Sequence, residues 1–139
     1  MRTPRRGRTA AALSVLALVT LAACSGGDEG VDPSTADWPA AIDPAEADGD
    51  FFVVWTRVSD SDQDPVLAAE VDRLAEQGYD VEPWSPECQS GAKDRLVELT
   101  GFPEPAAVGV AFATAEDAGI FDTRDEGATV SLTEGSWTC

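Results

Sequence analysis

FFVVWTRV, residues 51–58, is the stretch on which the fold turns. It is built from aromatic and β-branched side chains, which fit a pleated, buried surface better than a helix. Both of its faces are apolar. Alternation puts Phe51, Val53 and Trp55 on one side and Phe52, Val54 and Val58 on the other. A strand of this kind belongs inside a sheet. If helices covered only one side of that sheet, Phe51 and Trp55 would form an exposed aromatic patch, the usual mark of a partner or glycan surface.

Downstream, Asp64 reads as a helix cap and Pro65 as the first helical position. Leu67, Val71 and Leu74 follow at helical spacing, and Gly78 supplies the stop. GYDVEPW (78–84) is predicted to return as a second strand. A second helix is expected over 86–100, with Ser85 as cap and Gly101 at its end. On it, Cys88, Ala92, Leu96 and Leu99 would share the core face. AVGVAFAT (107–114) reads as a third strand, AEDAGIF (115–121) as a short helix, and ATVSL (128–132) as a fourth strand.

The expected order is therefore β-α-β-α-β-α-β in one small α+β domain, 51–139. LAEQGYDV (74–81) and AFATAEDAGIF (111–121) resemble the two halves of ferredoxin-like domains, including the sporulation-related-repeat (SPOR) peptidoglycan-binding domains. That resemblance implies a four-stranded antiparallel sheet with helices mainly on one face, and an inserted helix at 86–100. A parallel α/β sheet is the alternative, since helices alternate with strands.

Upstream, four arginines (Arg2, Arg5, Arg6, Arg8) precede an uncharged, mostly apolar run over 9–23. The run is shorter than the roughly 20 residues a bilayer-spanning helix needs, and reads as an export signal over 1–23. Its end, Leu21-Ala22-Ala23-Cys24, resembles the lipobox of bacterial lipoproteins. The resemblance implies cleavage before Cys24, acylation of that cysteine, and anchorage to the outer side of a cell membrane. Residues 24–50 then read as a lipidated, acidic, disordered tether, rich in Gly, Pro and Ala. Trp38 is the oddity in it, and is expected to dock onto the domain.

With Cys24 assigned to lipid, two of the three cysteines remain, Cys88 and Cys139. In an oxidising compartment they are expected to pair. The bond would pin GSWTC (135–139) and bring Trp137 near Trp84. The indoles would then either pack around the disulfide or line a ligand groove.

The chain has nine basic and 26 acidic residues and no histidine. Loss of the signal would leave five cations against the same 26 acids. Such a surface repels phosphate backbones and argues against nucleic acid as a partner. The lack of histidine removes Ser-His-Asp triads, Cys-His dyads and imidazole metal ligands. No catalytic motif is present, and no cofactor is implied.

Asp60, Asp62 and Asp64 alternate as at the start of an EF-hand loop, a hard-oxygen arrangement suited to calcium. Pro65 and Val71 stand where that loop needs Gly and Glu, so a solvated loop ending in a helix cap is the competing reading. The expectation is a monomeric, non-catalytic envelope lipoprotein binding a protein or a cell-wall glycan. A carboxylate-based hydrolase and a cation-binding module are the alternatives.

Overall fold

β1 spans Asp50–Ser59 and is the central strand of a three-stranded sheet. A computed structural model describes Gly30 and residues 32–139. The expected export signal over 1–23 and the expected lipidation site, Cys24, lie outside these residues. β1 is followed by helix α1 (Pro65–Glu76), helix α2 (Ala92–Thr100), strand β2 (Ala106–Phe112), helix α3 (Ala115–Arg124) and strand β3 (Ser131–Ser136). The strand order is β2-β1-β3, and both pairings are antiparallel. The domain is α+β, and the parallel arrangement is excluded.

α1 begins and ends as its sequence dictates. The Asp64 carboxylate accepts from the Val66 amide, Pro65 occupies the first turn, and Gly78 sits at φ 94° just past the end. Leu67 and Leu74 are buried under it. α3 is capped by Thr114, whose hydroxyl oxygen accepts from the Asp117 amide.

The predicted helix over 86–100 is shorter. Pro86–Cys88 form a 3-10 turn capped by Ser85, and Gly91, at φ 80°, separates that turn from α2. The four-residue spacing from Cys88 to Ala92 therefore does not carry across the break. Ala92 and Leu96 are buried as expected, whereas Leu99 is 45% exposed.

The predicted strand over 78–84 contracts to one antiparallel bridge, Trp84 with Ala107 on the outer edge of β2. Pro83 has no N–H to donate, and Asp80 and Glu82 favour solvent, so the ladder does not extend. The last strand starts later than predicted and runs through Ser136, taking in most of the expected tail.

Helices cover both faces of the sheet, not mainly one. α1 and α3 pack with Val54, Val108, Val110 and Phe112 on one face. α2 contributes Ala92 and Leu96 to the other, against Phe51, Val53 and Trp55, joined by Ile42, Ala47 and Trp137. Phe51 and Trp55 are fully buried, so they form no exposed patch. A bulge between Trp55 and Arg57 inserts Thr56 and shifts the alternation, which places Val58 on the Trp55 side.

Residues 32–50, expected to be tether, belong to the globular unit that extends to Cys139. The Ile42 amide donates to the Ala111 carbonyl at 2.9 Å, and a 3-10 turn at Pro44–Glu46 is capped by Asp43. Trp38 docks as expected. It meets Tyr79 and Phe121 edge-on with ring centroids 6.1 and 6.0 Å away, and the Arg124 guanidinium lies 4.4 Å from its centroid.

Candidate functional site

A groove of about 890 Å³ opens between the 38–44 strap and the loop over 77–84. Its floor comes from β2 and from the two indoles of Trp84 and Trp137. Two backbone anchors set the walls. Trp84 exchanges both backbone hydrogen bonds with Ala107, at 2.9 and 3.3 Å, and Ile42 bonds to Ala111 four residues further along the same edge. Tyr79 ties the walls together, its hydroxyl donating to the Pro39 carbonyl at 2.8 Å. Burial pushes that phenol up to about 12.

Between the anchors lies Gly109. Peptide groups along an antiparallel strand point alternately to either side. Ala107 and Ala111 both turn theirs away from β1, so Gly109 does the same. Gly109 is buried, and neither the strap nor the 77–84 loop makes a backbone bond to its N–H or C=O. They face the groove that Gly109 helps to line. A glycine is required here, because an added Cβ would lie 2.7 Å from the Trp55 ring and 2.7 Å from Val53.

Three indoles stack above this point. Trp55, fully buried, lies 4.6 Å from Trp84 between ring centroids, and Trp84 lies 5.8 Å from Trp137, each pair tilted by 35°. Trp84 and Trp137 are half-buried and present their outer surfaces to the groove. The two indoles that the sequence singles out thus come together, while Phe51 and Trp55 support them from beneath.

A buried polar chain fixes the floor. Trp55 Nε1 donates to Thr133 Oγ1 at 2.8 Å, and the Thr133 hydroxyl donates to Gln89 Oε1. Gln89 Nε2 in turn donates to the Phe51 carbonyl at 3.0 Å. Residues 88–90 run beside the end of β3: Ser90 N donates to Ser136 O, and Thr138 N to Cys88 O. The Cys88–Cys139 disulfide closes this ribbon, with Cα atoms 4.9 Å apart. Trp137 is thereby held beside Trp84.

The groove is acidic. Asp43, Asp80 and Glu82 line it, all exposed, and no lysine or arginine does. Asp43 is partly committed, accepting from the Ala45 amide. The buried carboxylates are employed elsewhere. Arg73 bridges Glu70 and Asp125 at 2.6 Å each, tying α1 to the end of α3. Burial alone would raise both carboxyls. Hydrogen bonds to Arg73 in each case, from Thr56 to Glu70 and from Gln77 to Asp125, with the nearby positive charge, hold them below the ordinary range.

Asp60, Asp62 and Asp64 do not assemble a calcium site. Asp64 is occupied as the α1 cap and accepts from Ser59 Oγ at 2.6 Å, while Asp60 and Asp62 remain in solvent. No group of three or more candidate ligands occurs among the described residues. Sequence reading missed Gly109, Ile42, Asp80 and Glu82. A glycine inside VGVAF was the available signal, since glycine in a strand often marks a close approach. Compared with known proteins, the chain matches no family model, no curated protein and no solved structure.

Proposed function

We propose that this protein is a non-catalytic binding module of the cell envelope, lipidated at Cys24, with the Trp84–Trp137 groove as its binding surface. The observation that carries the reading is the groove-facing edge of Gly109, left open between the Ala107 and Ala111 anchors, beside two adjacent half-buried indoles. A backbone N–H and C=O turned outward into a groove can bond to an occupant that supplies one acceptor and one donor. Indoles are the side chains most often found where binding energy concentrates.

Anchorage rests on the lipobox-like Leu21-Ala22-Ala23-Cys24, and it accords with the absence, among the described residues, of any helix long and apolar enough to cross a membrane. The sheet is consistent with a ferredoxin-like order whose second strand has contracted to the Trp84 bridge. The hydrolase alternative is less well supported. A carboxyl acting as general acid near neutral pH needs shelter from water, and Asp43, Asp80 and Glu82 are exposed.

The test is photo-crosslinking in the native cells from a benzophenone side chain at Glu82, with the same probe at Glu98 on α2 as the comparison. A discrete adduct from Glu82 alone is expected. Equal labelling from both positions, or from neither, would overturn the reading.

A further inference from the structure

The cations of the domain are all engaged. Among residues 32–139, Arg57 pairs with Glu70, Arg73 with Glu70 and Asp125, Lys93 with Glu87 and Glu104, and Arg95 with Glu98. Arg124 lies over Trp38 and donates to the Ala36 carbonyl. Five acidic residues are neutralised in this way, and the much larger remainder has no positive partner within the domain. Asp80 and Glu82, on the wall of the groove, belong to that remainder.

Three features of the groove therefore converge on one ligand chemistry. Its wall carries carboxylates with no counter-cation, so it attracts positive charge. Its floor offers two neighbouring indole surfaces, the best aromatic platform for an ammonium or guanidinium group. Beneath them the Gly109 peptide edge offers one donor and one acceptor, which another extended backbone complements.

We infer that the occupant is a basic, extended segment of a partner protein. It seats a lysine or arginine over Trp84 and Trp137, between Asp80 and Glu82, and bonds its backbone to Gly109. A glycan could stack on the indoles and offer an amide, but it would leave the carboxylates unmatched. The inference rests on the binding reading above and adds the partner's chemistry to it.

The test is a titration of the full-length, 15N-labelled protein followed through the Gly109 amide and the Trp84 and Trp137 indole N–H resonances. The probes are a short blocked peptide of alternating glycine and lysine, its glutamine counterpart, and a short N-acetylglucosamine oligomer. The lysine peptide is expected to shift all three resonances saturably. The glutamine peptide should bind about tenfold more weakly, the loss of roughly one charged contact on an aromatic platform. Asp80→Asn with Glu82→Gln, two exposed changes that leave the core intact, should weaken the lysine peptide severalfold. Added salt should do the same.

Equal affinity for the lysine and glutamine peptides would overturn the inference, as would shifts that avoid the groove. If the glycan alone shifts the three resonances, the cationic partner is wrong and the binding groove stands. The same holds if Glu82 crosslinks to a partner while no lysine peptide binds. If no probe shifts these resonances and Glu82 yields no crosslink, both readings fall.

Discussion

Gly109 lies directly across from Trp55 in the β1–β2 ladder, and a Cβ at that position would approach the indole to 2.7 Å. The missing side chain lets Trp55 lie flat on the sheet, and Trp84 and Trp137 build outward from it. Gly109→Ala should therefore force the indole or the strand to move, at a cost of about 1–3 kcal/mol. Thermal unfolding should show a lower midpoint, and the Trp84 and Trp137 indole resonances should shift. An unchanged midpoint would mean that the floor is more yielding than the geometry implies.

Thr133→Val tests the chain below the groove. The substitution keeps the shape but leaves Trp55 Nε1–H without its acceptor and Gln89 Oε1 without its donor. Each unsatisfied buried group costs about 1–3 kcal/mol, so the loss should exceed that of a surface change. Chemical denaturation of the variant should show a lower midpoint with an unchanged slope.

The Cys88–Cys139 bond spans 51 residues of sequence separation. On chain entropy alone, closing such a loop stabilises by about 4 kcal/mol. Replacing both cysteines with alanine should lower the melting temperature by on the order of 20 °C for a domain of this size. Intact mass before and after reduction should differ by the two hydrogens of the thiols. A variant that melts with the parent would show that the ribbon over 88–90 holds without its fastener.

Two pH limbs follow from the ionisable groups. Glu70 and Asp125 are held below their ordinary values, so their contribution is complete above the unfolded range near 4. It is lost as pH falls through the lower folded values. Arg73→Met should flatten that acid limb. Tyr79 behaves oppositely. Its folded value is raised to about 12, so its contribution is complete below about 10 and is lost as pH climbs toward 12. As Tyr79 is the chain's one tyrosine, absorbance titration reports it directly. A midpoint near 10 would mean that the strap does not shelter it.

The anchor prediction is independent of these. Cys24→Ala should release the protein from the membrane fraction to the medium, and continued membrane retention would refute lipidation at that residue.

Much of the scaffold was legible in the residues. β1 announced itself through β-branched and aromatic density, and α1 through the Asp64–Pro65 start and Gly78 stop. The Cys88–Cys139 pairing followed from counting thiols. What was not legible shares a cause: it depended on partners distant in sequence. The strap over 32–50 has the composition of a tether, yet Trp38 and Ile42 find aromatic and strand-edge partners that its own sequence does not display. The Thr56 bulge leaves no mark in the alternation pattern, and it decided where Val58 went. Gly91 broke an otherwise continuous helical spacing and moved Cys88 off the face its neighbours suggested. Trp84 and Trp137 could be paired from the disulfide, but the bare edge at Gly109 appeared only once the anchors on either side of it were placed.

The most direct measurement is the Glu82 photo-crosslink repeated in cells with Trp137→Ala, in a background where folding is verified by intact disulfide and unchanged circular dichroism. If the indole pair is the binding surface, the adduct should fall about tenfold, the loss of a contact worth roughly 1.4 kcal/mol. An adduct of undiminished yield would show that whatever contacts Glu82 does so without the groove, and would contradict the proposed binding surface.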